Sequence, residues 1–360
     1  MLGPGRKELR SLRLKAEDTN GVAVAPRFLW RGVADMPDDQ RELVMVEEQV
    51  GIFGGTDRTY IPKLMAELKL PSNPATFEQL PDLLMMHGLG TSGGGNRAGS
   101  AQGASGSAVV FTLPIPSDTA PYTQSYTLEG GENEVEAEAI EYLIGKGLTI
   151  TFVGGEAMTV EADLMGRQVQ RTNNAGTFSN VGTLPAVETI LASRGTFYLT
   201  PVGSGFGTGQ VTVGNILAGQ LKITPKFEPK FTADSGQLYF HTAVFTGIDI
   251  EGELTLEHQI SGTYGAAGTT GQKNKWREQL PQLLRMQWTG GTIPLGTTYQ
   301  RKTAIFDLPI KWQKFDPLGD QNGNSIAVGK FISKYNESTP AAGRGTITIV
   351  RHGTSEFAGA

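Results

Sequence analysis

The chain has no cysteine among its 360 residues. That excludes disulfides, thiolate metal sites and thiol nucleophiles, and it lets the chain fold equally well in a reducing compartment. Histidine is scarce as well: His87, His241, His258 and His352 are scattered, with no HxH or HxxxH spacing, so no metal site is expected. A net charge of −5 gives no electrostatic footprint for wrapping nucleic acid. No stretch approaches the roughly 18 consecutive apolar residues of a membrane span. The basic N-terminus (Arg6, Lys7, Arg10, Arg13, Lys15) lacks the apolar run of a secretion signal. Two glycine motifs stand in the wrong context. The GxGxxG at 88–93 and the GxSxG at 90–94 follow an expected helix and open a loop, whereas a dinucleotide site or a nucleophile elbow needs a strand before and a helix after. No catalytic residue and no cofactor is therefore assigned.

What the chain has is glycine, 48 residues, with 19 prolines and 38% apolar residues. That composition is turn-rich and points to β architecture. In KLMAELKL, Leu64, Ala66, Leu68 and Leu70 alternate with polar or long side chains, the pattern of a strand with one apolar face. Further strands are expected at 108–115, 126–131, 134–144, 148–153 and 158–166, with Gly154-Gly155 as a hairpin turn. In the second half they are expected at GTFYLTPV, QVTVGNIL, QLKITPKF, QLYFHTAVF, GIDIEGELTLEHQI, TTYQRKTAIFDLPIKW, SIAVGKFISKY and GTITIVRH.

One nine-residue segment occurs twice, EQLPDLLMM at 78–86 and EQLPQLLRM at 278–286. Upstream, AELKL (66–70) matches GELTL (252–256); downstream, VVFTLPI (109–115) matches AIFDLPI (304–310). Three anchors in one order imply a structural unit used twice. The spacing predicts two helices. Leu80, Leu83 and Leu84, like Leu280, Leu283 and Leu284, fall on one side at i, i+3, i+4. Pro81 and Pro281 suit a first helical turn, and Gly88 and Gly290 suit the stops. Each leucine set should be buried as a packing or interface element.

The layout is an extended N-terminal arm (1–26), a first domain (27–185) and a second domain (186–360). The Gly/Ser tract 88–107 and the loop 262–271 are expected to be mobile. Residues 129–141 hold six glutamates and no basic residue. In EVEAEAIE, Glu134, Glu136 and Glu138 share one strand face opposite Val135, Ala137 and Ala139. That face is either an ordinary solvated one or the wall of an acidic channel.

The chain resembles the tail tube proteins (major tail proteins) of long-tailed bacteriophages, of the type with two tandem tube domains. The residues that carry the resemblance are KAEDTNGVAVAP, AELKLPSNPATFEQLPDLL, YTLEGG and LTITFVGGEAMTVEADLMG. The resemblance implies a mainly β fold of two tandem β-sandwich or barrel-like domains, each with one flanking helix. It implies a structural, non-enzymatic virion protein of the phage tail, assembled in the host cytoplasm. Such a chain would polymerise with itself as stacked trimeric, pseudo-sixfold rings. Its partners would be tape-measure, tail-tip and tail-terminator proteins, with no membrane contact. DNA would pass through the lumen without specific binding, and Glu132, Glu134, Glu136 and Glu138 are the candidates to face it. The alternatives are a two-domain β adhesion or carbohydrate-binding protein, or another tail component.

Overall fold

The computed structural model describes residues 7–89, 100–102, 108–116, 123–132, 136–172, 177–208, 216–234, 236–258, 269–294, 299–336 and 344–353. The chain is mainly β, built on large antiparallel sheets with two α-helices among the described residues. In the first half the elements are β1 (Arg10–Ala16), β2 (Phe28–Leu29), β3 (Asp38–Arg41), β4 (Val44–Met45), β5 (Thr59–Tyr60) and β6 (Leu64–Pro74). Helix α1 (Leu80–Met86) is next, then β7 (Ser100–Gln102), β8 (Ala108–Pro114), β9 (Tyr126–Glu132), β10 (Ala137–Val153), β11 (Thr159–Gly166) and β12 (Val169–Arg171). The second half has β13 (Gly195–Pro201), β14 (Ile216–Lys230), β15 (Thr242–Glu257), α2 (Thr269–Arg277), β16 (Gln282–Thr292), β17 (Arg301–Phe315), β18 (Gly319–Gln321), β19 (Asn324–Ser333) and β20 (Thr346–His352).

Two long strands organise the ladders. The first part of β10 lies between β9 and β12, and β9 pairs on its other side with β1. The second part of β10 lies between β11 and β14. The strand changes sheets at Tyr142, a non-glycine residue with φ 53°, an uncommon conformation that needs outside support. β17 behaves in the same way. Its first part lies between β16 and β20, with β13 beyond β16, and its second part pairs with β19.

The pairing order is thus duplicated. β3–β6–β11–β10 in the first half answers to β14–β15–β19–β17 in the second, and α1 and α2 follow the corresponding strands β6 and β15. The two halves meet where β10 pairs with β14, Leu148 opposite Ile223 through Val153 opposite Ala218. The result is one run of eight strand segments, β3–β6–β11–β10–β14–β15–β19–β17. A second join is β8, from the first half, which pairs with the last strand β20. The core is shared as well. Phe152 packs edge-on to Trp288 at 5.1 Å between centroids, and one buried apolar cluster runs from Leu12 to Ile349.

The repeated nonapeptide does not mark this duplication. At 78–86 it is the expected helix: the Thr76 hydroxyl accepts from the Gln79 N–H at 3.2 Å, proline sits in the first turn, and Gly88 ends it at φ +76°. At 278–286 the helix expectation is overturned. Leu283, Leu284 and Met286 belong to β16, which continues through Gly290. Leu280 is exposed (46%), whereas Leu283 and Leu284 are buried in the strand. The physical reason is pairing on both edges, with β13 and with β17. The helix of the second half lies upstream, in the polar segment TTGQKNKWR. VVFTLPI and AIFDLPI are likewise not equivalent; as β8 and β17 they flank the same strand, β20.

The extended arm also needs correction. Residues 10–16 form β1, paired with β9 over seven positions, and Leu12, Leu14 and Ala16 are buried. Of the two tracts expected to be mobile, 90–99, 103–107 and 262–268 lie outside the described residues, while 100–102 is β7 and 269–271 opens α2.

Candidate functional site: the wet face and the edges of the long sheet

Alternation along the eight-segment sheet buries one face and leaves the other in water. On the wet face the ladders set side chains in rows that cross from the first half to the second. One row runs Glu161, Thr149, Lys222, Glu251. Another runs Thr159, Thr151, Gln220, Glu253, Lys330, Lys314.

Charges along the rows are largely compensated. Lys146 bonds Glu67 at 2.6 Å, Lys69 bonds Glu161 at 2.9 Å, Lys226 bonds Asp249 at 2.7 Å and Lys314 bonds Asp316 at 2.6 Å. Lys334 lies 3.6 Å from Asp249, and Lys330 lies 3.9 Å from both Glu253 and Asp316. Hydrogen bonds to their lysines hold Asp249 and Asp316 below the usual carboxylate range, and the Glu161 hydrogen bond holds Lys69 above the usual ammonium range. These exposed pairs add little stability; their effect is on the field, which approaches neutrality. A depression of about 490 Å³ lies in this face, lined by Asp35, Asp38, Glu67, Lys69, Lys146, Asp163 and Lys222 among others.

The candidate lumen glutamates lie elsewhere, on β9 and on the first part of β10. Glu132 accepts from Arg10 at 3.3 Å, and Glu136 pairs with Arg171 at 2.7 Å. Glu138 is half-buried, and burial raises its carboxyl, helped by Glu136 and Asp39. Together they line a smaller depression of about 250 Å³ with Arg10 and Met36. Glu134 lies outside the described residues. Alternation holds here, with Ala137 and Ala139 buried behind the glutamates, but partner arginines neutralise two of the carboxylates.

The long sheet ends in two edges. At one end β3 presents DDQR, every residue exposed, with Asp39 paired to Arg41 at 2.5 Å. At the other, β17 runs beyond the end of β16 with Lys311 and Lys314 exposed; there Gln313 O accepts from Trp276 Nε1 of α2 at 2.9 Å. Between β3 and β6, the hairpin β4–β5 exposes Leu43, Met45, Val50, Ile52, Phe53 and Tyr60. Six exposed apolar side chains on one hairpin make it a candidate interaction surface. Its sequence, LVMVEEQVGIFGG, signals apolar content, but exposure is invisible without the fold.

Among the described residues no group of three His, Asp or Glu side chains could hold a metal ion, and no helix is long and apolar enough to cross a membrane. The predicted packing leucines of α1, Leu80, Leu83 and Leu84, are all buried, as expected. Sequence reading missed two buried polar centres. One is Glu17, which accepts from Gly21 N (2.6 Å), Tyr142 N (2.8 Å) and Thr127 Oγ1 (3.0 Å). The other is the group around Glu78 and Asp82 beneath α1. Nothing local distinguishes these carboxylates from surface ones. No protein-family model matches the chain, and no curated protein matches it in sequence.

Proposed function

We propose that this chain is a structural subunit that assembles with copies of itself into stacked rings, forming a tail tube through which DNA passes. The observation that carries the reading is the internal β10–β14 ladder, which joins two units of the same pairing order edge to edge. That ladder leaves a β3 edge at one end and a β17 edge at the other. A contact of unlike edges is heterologous, and it closes into a ring where the rotation per copy divides a full turn. Asp39 is paired with Arg41 and Lys314 with Asp316, which leaves Asp38 on one edge and Lys311 on the other, so unlike edges attract. Two units per chain give six positions from three chains.

In this reading the wet face of the long sheet is the stronger candidate for the lumen, ahead of the glutamates. A charge-balanced wall offers a polyanion no deep well in which to stall. The apolar hairpin β4–β5 would be covered by another copy in the stack. Tape-measure, tail-tip and terminator proteins are the further partners, and the role is structural rather than catalytic.

The test is electron microscopy and light scattering of the purified chain over a concentration series. Hollow tubes or rings with three chains per ring are expected. Asp38→Lys with Asp39→Lys should leave the monomer folded and prevent ring closure. A chain that stays monomeric at every concentration, or rings of six chains, would overturn the proposal.

A further inference from the structure

Charge as well as leucine seats helix α1. Lys302 of β17 bonds Glu78 Oε1 at 2.6 Å and lies 3.2 Å from Glu188. The Glu188 N–H donates to Glu78 Oε2 at 2.7 Å, and Gly291 N–H donates to Glu188 Oε1 at 2.7 Å. Arg351 of β20, stacked on Phe111, donates through Nη1 to the Glu78 carbonyl at 2.9 Å. One turn further on, buried Asp82 accepts from the Tyr126 hydroxyl at 2.7 Å through Oδ1, while its Oδ2 has no partner. The Nε of buried Arg351 has none either. The segments that meet here come from both halves of the chain.

We propose that the seat of α1 is a proton-operated joint between the two units: Asp82 tightens it when protonated and loosens it when ionised. This rests on the cluster's own geometry and not on the assembly reading. An ionised carboxylate buried with one oxygen unpartnered, and bonded otherwise only by Tyr126 and its own backbone N–H, is poorly compensated. Tyr126 on β9 and Arg351 on β20 act on it directly; the other charged groups of the cluster gather at Glu78, just before the helix: Lys302 on β17, and Glu188 with Arg194 from the connecting segment. Lys302 does not switch. Burial works against its charge, but Glu78 and Glu188 outweigh that and hold it above the usual range. Burial pushes the Asp82 carboxyl up to about 6, against the pull of Arg351 and Tyr126. His87 ends the same helix, but burial lowers it, so its dependence has the opposite sign.

The sign for Asp82 follows from linkage. Its folded value lies above its unfolded one, so its contribution is fully present at low pH and is lost as pH rises to about 6. Hydrogen exchange of amides 83–89 and 347–352, normalised for intrinsic rates, tests this in the full chain at pH 5 and pH 8. From Asp82 protection should be lower at pH 8 by about tenfold, because at pH 5 only the one unit below a folded value of about 6 is recovered. In Asp82→Asn that loss should vanish, leaving only the opposite dependence of His87. A parent whose protection at pH 8 relative to pH 5 is no lower than that of D82N would overturn the proposal. Should D82N not fold, Tyr126→Phe removes the hydroxyl bonded to the carboxylate and must widen the parent's difference; an unchanged difference refutes it.

Discussion

Replacing Glu17 with alanine should destabilise the chain far more than a single surface carboxylate would. Glu17 is fully buried and accepts two backbone N–H bonds, from Gly21 and from Tyr142, besides the hydroxyls of Ser125 and Thr127. The Ser125 hydroxyl has a second acceptor, Asn20 Oδ1 at 2.9 Å, so it can re-aim. The buried Tyr142 N–H cannot, and the Gly21 N–H is half-buried. Each orphaned buried donor costs about 1–3 kcal/mol. The Tyr142 N–H belongs to the φ 53° residue at which β10 changes sheets, and a residue held in that region carries roughly 1–3 kcal/mol of strain that its surroundings must contain. Glu17→Ala should therefore lose about 3–5 kcal/mol, a large part of a typical stability of about 5–15 kcal/mol. Glu17→Gln keeps an acceptor but turns an NH2 toward donors, and should lose less. Urea unfolding followed by fluorescence measures both, with midpoint shifts converted at a common m-value. A Glu17→Ala chain within about 1 kcal/mol of the parent would refute the claim that this carboxylate fastens β1 to the kink.

The leucines give a graded set. Leu83→Ala and Leu283→Ala should each cost about 2–5 kcal/mol, because both side chains are buried. Leu280→Ala should stay within about 0.5 kcal/mol, because Leu280 is exposed and no longer on a helix; melting curves separate the three. His87 is buried with Nδ1 2.6 Å from Leu83 O, and burial lowers its affinity for a proton. Its contribution is present above the ordinary histidine range and lost as pH falls below it. A neutral aromatic at position 87 should flatten the acid limb of the stability–pH curve, and an unchanged limb would refute that assignment.

Composition and alternation were enough to determine the fold class and most of the strands. In KLMAELKL, LTITFV and MTVEADL the period of two survives because one face meets the core and the other water. Alternation also placed Glu136 outside and Ala137 and Ala139 inside. Helix α1 was legible because proline, a threonine hydroxyl and Gly88 bracket a run whose leucines all turn inward. The same nine residues failed as a predictor 200 positions later. A short apolar run satisfies helix and buried strand equally, and only the neighbours β13 and β17 chose the strand. The period-two signal, Leu284, Met286, Trp288, became visible only past the end of the repeat. The tertiary structure alone decided which edges meet, that both halves share one core, and that Glu17 and Asp82 are buried. Each of these depends on contacts between residues tens to hundreds of positions apart, and no local pattern records them.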